Sequence, residues 1–144
     1  MLDGVLLTRL EIIKTSGGAV FKAMRRDDPG ASAFGEAYFS VVEKAAVRAW
    51  KRHRKMTLNL VVPCGEIRFV IYDDRQGSPT FRQVEEFRLS VGNYQRLTVP
   101  PMVWMGFQGC SDQMNMLLNL ADMPHDPQEA DQLERHQISF DWSM

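Results

Sequence analysis

The sequence predicts an all-β fold, a sandwich or barrel of about nine short strands with a single late helix. Three observations point there. Short runs rich in Val, Ile, Leu, Phe and Tyr recur along the chain, separated by Gly, Pro, Asn and Asp in turn-like contexts. Residues 34–42 alternate, with Glu36, Tyr38 and Ser40 on one face and Ala37, Phe39 and Val41 on the other. Only one stretch carries a helix-start signature. Asp126-Pro-Gln-Glu129 combines an aspartate cap, proline at the first helical position and a glutamate three residues after the cap.

Taken in order, residues 5–13 read as an opening strand, broken by Gly17-Gly18. Residues 34–42 form the next strand. Residues 58–62 and 67–72 are strands flanking a tight turn at Pro63-Cys64-Gly65, and residues 73–80 are a loop by composition. Residues 84–89, 95–99, 103–108 and 114–120 supply four more short strands. The helix is expected to run from Asp126 to Arg135, with His125 in the preceding loop. His136 follows near its end, where a cationic side chain suits the helix dipole. The tail, residues 138–142, adds a final edge strand or packs as an extended arm.

With 144 residues, 44% of them hydrophobic and 24% charged, the chain has ordinary globular composition, and a single domain over residues 1–144 is expected. No apolar run approaches the roughly 20 residues that span a bilayer, and the N-terminus lacks a basic region followed by a long apolar core. A cytoplasmic protein without membrane association is the expectation. Cys64 and Cys110 each adjoin a glycine and neither has a CxxC partner, so they read as reduced structural thiols.

The 17 basic and 18 acidic residues leave a net charge of only -1. Against that balance, Arg48-Ala-Trp-Lys-Arg-His-Arg-Lys55 is a local concentration of cations set just before the strand-like run that begins at Met56. Nucleic acid is not the expected partner, because the only other basic pair is Arg25-Arg26. A compact phosphate-bearing anion suits the cluster better, since it needs only two or three well-placed cations.

The order of segments resembles the dTDP-4-dehydrorhamnose 3,5-epimerase family of sugar-nucleotide cupins. The resemblance spans about residues 34–120. Its strongest block holds Gly65 with the strand ending in Asp73-Asp-Arg75, then Ser78-Pro-Thr-Phe81, Leu89-Ser90 with Asn93, Leu97-Thr-Val-Pro100, and Gly106-Phe107. It implies a cupin-type jelly-roll barrel with the ligand inside, a homodimer in which an N-terminal strand pairs across subunits, and a nucleotide-sugar substrate. The family's Arg-Gly-x-His falls on Arg48-Ala49-Trp50-Lys51, which keeps the phosphate-binding arginine and puts a lysine in place of the histidine base. Phe21 and Arg25 are implied as further nucleotide and phosphate contacts. Glu36, Tyr38, Asn59 and Asn119 are implied as the sugar pocket.

Other family positions are altered. The catalytic-site lysine falls on Leu58, the aspartate after the glycine turn on Phe69, the tyrosine acid on Leu118, and the histidine of His-Gly-Phe on Met105. The C-terminal aspartate that pairs with the histidine base in longer members has no counterpart. The related sugar-nucleotide 3,4-ketoisomerases carry Arg-Gly-x-His-Ala-His, and against that pattern His53 is the second histidine. An imidazole with an ordinary pKa near ~6.5 serves as acid or base at neutral pH.

Lys51 has two roles open to it. As a base it must be neutral, which requires a depression of about 3 units from the ordinary lysine value; as a cation it holds phosphate or an enolate oxygen. The expected reaction is epimerisation or isomerisation of a nucleotide-linked 4-keto-6-deoxy sugar in surface-polysaccharide biosynthesis. The alternative is a cupin that binds the nucleotide sugar, or another anion, without turnover. Metal-binding cupins supply a His-x-His pair and a further histidine, positions held here by Lys51, His53 and Met105. One imidazole falls short of the three or so protein ligands that zinc takes, so no metal and no cofactor are expected.

Overall fold

The computed structural model describes residues 1–144 and is built from strands throughout. In chain order these are β1 (Leu6–Arg9), β2 (Ile12–Thr15), β3 (Gly18–Phe21), β4 (Glu36–Val42), β5 (Val47–His53), β6 (Leu58–Cys64), β7 (Glu66–Tyr72), β8 (Val84–Ser90), β9 (Gln95–Val99), β10 (Trp104–Gly109), β11 (Asn115–Ala121) and β12 (Ala130–Gln132). Two antiparallel five-stranded sheets face each other, ordered β1-β9-β6-β11-β4 and β12-β5-β10-β7-β8. β2 and β3 form a separate hairpin.

Alternation places the core between the sheets. Leu58, Leu60 and Val62 of β6, Leu97 and Val99 of β9, and Leu117 and Ala121 of β11 meet Ile67, Phe69 and Ile71 of β7 and Phe87 and Leu89 of β8. Each fully buried side chain of this size contributes about 1.5–3 kcal/mol. The packing is dense beneath β7 and β8, and a cavity remains beside β4, β5 and β10.

Both outer faces are partly covered. On the first sheet, the fully buried Arg96 guanidinium donates to the carbonyls of Ala23 and Pro29 and pairs with Asp28, tying down the segment after the hairpin. On the second sheet, the chain end packs as an extended arm. Trp142 joins Trp50, Val70 and Trp104 in a second apolar cluster, while Arg68 donates to the carbonyls of Asp141 and Ser143.

Three expectations need correction. Residues 5–13 are not one strand, because the chain leaves the sheet edge after Arg9, and β2 then pairs only with β3. The expected helix is absent. Asp126 does accept from the Gln128 N–H and Pro127 does open a helical turn, but the turn is a single 3₁₀ turn, Pro127–Glu129. Residues 130–132 then pair with β5, and Asp131 receives hydrogen bonds from Arg52 and Arg54. Tertiary pairing with a cationic strand overrides the local cap signal. His136 accordingly sits in a second short 3₁₀ turn, Arg135–Gln137. No helix is long and apolar enough to cross a membrane.

Candidate active site

The basic cluster is itself a strand, β5, and a bulge arranges its side chains. Lys51 pairs with Met105 and Arg48 with Phe107, so Ala49 and Trp50 together face the single residue Gly106. Met105 and Phe107 both line the cavity, and the shift therefore turns Arg48 and Lys51 onto the same, cavity-facing side. Trp50 turns outward into the second apolar cluster and donates its indole N–H to the Arg135 carbonyl. Beyond the bulge the alternation resumes. Arg52 faces out, stacked 4.6 Å from the Trp104 ring centroid, and His53 faces in.

Gly106 is what permits this. A Cβ there would lie 2.6 Å from the Ala49 Cβ and 3.0 Å from the Trp142 ring. The Gly-Phe pair at 106–107 thus keeps a backbone close enough for the bulge to form.

The cavity encloses about 590 Å³. Its buried end is apolar, with Met56, Leu58, Val99, Val103 and Leu117; its open end carries Arg48, Tyr38 and Glu134. Charge bookkeeping singles out two residues on β5. Arg52 and Arg54 both pair with Asp131, whereas Arg48 and Lys51 make no ion pair within the chain. Two unpaired cations on a cavity wall form a site for an anion.

His53 is held by a carboxylate. Its Nδ1 lies 2.6 Å from Glu129 Oε1, and the two side chains are only 14% and 4% exposed. Glu129 Oε2 accepts from the backbone N–H groups of Lys55 and Met56. Burial opposes ionisation of Glu129, but the hydrogen bonds from His53 and those two N–H groups prevail and bring its pKa down to about 2. An ionised carboxylate only accepts, so Nδ1 carries a ring hydrogen, and Nε2 is the nitrogen that bears the lone pair in the neutral imidazole. A carboxylate partner for a histidine is therefore present after all. It comes from the 3₁₀ turn that ends at Glu129, where the sequence suggested a helix.

The opposite wall comes from the first sheet. Tyr38 of β4 and Asn119 of β11 are register partners, and the Asn119 amide Nδ2 donates to the Tyr38 hydroxyl at 2.8 Å. Burial raises the Tyr38 pKa and the Glu36 charge adds to the effect; the Asn119 hydrogen bond and the Arg48 charge partly offset them. Ser40 lines the same wall.

Of the residues implied by sequence, the cavity brings together Arg48, Lys51, His53, Tyr38 and Asn119. It excludes four. Asn59 lies on the outer face of β6, where it accepts from Arg96 and Thr98 and donates to the Gly30 carbonyl. Glu36 stands at the end of β4 and accepts from the His125 N–H. Phe21 packs edge-on against Tyr94, and Arg25 is exposed beside Asp27. Leu118, matched to the family's tyrosine, points outward, and it is Leu117 and Asn119 that face the cavity. Phe69 is core rather than site. Sequence reasoning missed Glu129, although the acidic run 126–131 following a basic strand was a signal of charge complementarity.

The strongest sequence motifs serve the scaffold. Asp73, fully buried, accepts from Arg75, Ser78 and Thr80, and Arg75 donates onward to the Asp3 carbonyl, so the Asp-x-Arg and Ser-Pro-Thr segments staple the loop and the N-terminus. Asn93 caps the β8–β9 turn by donating to the Arg88 carbonyl.

Comparison with known proteins agrees with this architecture. The family model for dTDP-4-dehydrorhamnose 3,5-epimerase matches residues 1–144. The crystal structure of a dTDP sugar isomerase from Desulfovibrio desulfuricans superposes with a TM-score of 0.94 at 39% identity, over 98% of this chain and 92% of that one. The probable low-salt glycan biosynthesis epimerase Agl13 of Haloferax volcanii is 33% identical over 97 residues, 67% of this chain, a stretch that spans 62% of that relative. The spore coat polysaccharide biosynthesis protein SpsL of Bacillus subtilis is 23% identical over 99% of this chain and 97% of its own length. A cupin-type barrel, a whole-length family match and a cation-lined cavity in the barrel together establish that this chain belongs to the dTDP-4-dehydrorhamnose 3,5-epimerase family.

Proposed function

We propose that the chain is a cytoplasmic sugar-nucleotide epimerase or isomerase that acts on a nucleotide-linked 4-keto-6-deoxy sugar in surface-polysaccharide biosynthesis. One observation carries the reading: the unpaired cations Arg48 and Lys51 share a cavity wall with a histidine oriented by a buried carboxylate. Arg48 at the open end binds the diphosphate. His53 Nε2 removes the proton next to the ketone, and Glu129 stabilises the imidazolium that results. Lys51, as a cation, holds the enolate oxygen. The protein is expected to exchange solvent deuterium into C3 or C5 of dTDP-4-keto-6-deoxyglucose, read by mass spectrometry. No exchange above a protein-free control at high protein concentration contradicts it.

A second reading, binding without turnover, draws support from Leu58 and Met105, which give the cavity apolar surface where the family has a lysine and a histidine. It predicts thermal stabilisation by dTDP that vanishes in Arg48→Ala, with no exchange in any keto sugar.

The homodimer belongs to the same proposal. Phe39 and Val41 on the outer face of β4 are 62% and 51% exposed, next to Leu118 and Leu120 of β11, and the hairpin exposes Ile13 and Val20. Exposed apolar residues of this kind suit a two-fold contact with a second copy. Within one chain Phe21 and Arg25 lie off the cavity, so their implied nucleotide contacts require a hairpin reaching over from a partner. Light scattering is expected to give twice the chain mass, and a monomer at micromolar concentration removes both roles.

A further inference from the structure

We infer that the Tyr38 hydroxyl is the second proton-transfer group of this site, acting on the face of the bound sugar opposite His53. The assignment rests on the epimerase reading above. Inverting a carbon next to a ketone requires a proton to leave one face and another to arrive on the other, which one side chain held on one face of a fixed sugar does not do. His53 belongs to β5 in the second sheet and Tyr38 to β4 in the first, and the cavity lies between them.

The other lining groups do not fill this role. Arg48 does not release a proton in proteins. Lys51 sits on the same strand and the same wall as His53, two residues away, and Glu134 follows β12, which pairs with β5 in that same sheet, so both serve the same face as His53. His125 and His136 lie outside the cavity, and β11 turns Leu118 outward. The Ser40 hydroxyl, with no base beside it, is too weak an acid.

Tyr38 is arranged to give a proton. Its oxygen accepts from the Asn119 amide, which leaves its own hydrogen uncommitted. Asn119 is 5% exposed, and its Oδ1 has no partner within the protein. The pair therefore offers one free donor and one free acceptor to a ligand. Burial keeps the phenol protonated at neutral pH, and the nearby Arg48 charge favours the tyrosinate once it forms.

The step balances without a co-reactant. The His53 Nε2 lone pair takes the α-proton; the C–H electrons form the enolate double bond, and the carbonyl π electrons move to oxygen beside Lys51. The enolate then collapses, its carbon taking the Tyr38 proton on the opposite face. The imidazolium returns its proton to water, and the tyrosinate regains one from water.

The test follows dTDP-4-keto-6-deoxyglucose in deuterium oxide with wild type, Tyr38→Phe and Asn119→Leu. Tyr38→Phe is expected to retain solvent exchange with unchanged configuration, within about 10-fold of wild type, while epimer formation falls by about 10²-fold or more. Its stabilisation by dTDP stays unchanged. Asn119→Leu leaves the phenol in place and is expected to separate exchange from epimerisation in the same sense, to a smaller degree. Epimer formation by Tyr38→Phe within about threefold of wild type overturns the assignment, as does equal loss of exchange and epimer in both variants. A wild-type protein that exchanges no deuterium overturns the functional reading itself, and this assignment with it.

Discussion

At residue scale the site depends on how Glu129 is divided between its neighbours. One oxygen faces His53 Nδ1 and the other accepts two backbone N–H groups. In Glu129→Gln those N–H groups hold the amide oxygen on their side and leave the NH₂ facing His53. Nδ1 must then accept, the ring hydrogen moves to Nε2, and the lone pair proposed to remove the substrate proton is lost. Exchange by Glu129→Gln is expected to fall by about 10²-fold with unchanged dTDP affinity, and NMR of the ring nitrogens is expected to report the reversed tautomer. Activity within a few-fold of wild type would show that Glu129 is only structural. The same group sets an acid limit. Its pKa is about 2 folded against an ordinary 4.5, so its ionised form contributes stability that is complete above about pH 4.5 and is lost as the pH falls toward 2. Acid titration of the unfolding free energy is expected to lose this dependence in Glu129→Gln.

At element scale the decisive feature is the bulge in β5. Without it, Arg48 and Lys51 would project to opposite sides of the sheet, because strand side chains alternate with period two. Gly106→Ala puts a methyl 2.6 Å from the Ala49 Cβ, so the strands must separate or Trp142 must shift. The expected result is about 1–3 kcal/mol lower stability in denaturant together with weakened dTDP binding, since both cations flank the disturbed pair. A destabilised variant with full affinity would uncouple the bulge from the site. The bulge also explains what the sequence concealed. β6 through β11 lie close to the expected strands because each is a short apolar-rich run bounded by turn residues, but β5 breaks the period at Ala49–Trp50 and reads as a charge run. One residue along a strand exchanges faces, so Leu58 and Leu60 point between the sheets while Asn59 points out, and Asn119 lines the cavity while Leu118 does not. Glu129 was hidden for a different reason. Its local cap signal is real, and only the long-range pairing of β12 with β5 turns the segment into a strand.

At the scale of the whole molecule, scaffold and site are largely separate. The motifs that make the family legible, around Asp73, Ser78 and Asn93, lie outside the cavity and hold loops and the N-terminus. Asp73→Asn leaves Arg75 without its buried partner and is expected to lower stability by about 3 kcal/mol while dTDP affinity is retained in the folded protein. Loss of affinity at full stability would place that loop in the site. Lys51, Leu58 and Met105, by contrast, line the cavity. Lys51 stands on β5 two residues before His53, whose carboxylate partner Glu129 comes from the turn that leads into β12. The fold was therefore readable from motifs, while the chemistry had to be read from side chains brought together across the two sheets.

The central claim is that His53, held by Glu129, moves the proton. It is tested most directly by comparing wild type with His53→Asn for deuterium uptake from solvent into dTDP-4-keto-6-deoxyglucose at saturating substrate. The account predicts uptake by the wild type and a fall of about 10²–10⁴-fold in the variant, with dTDP binding intact. Equal uptake by the two proteins, or none by either, would contradict it.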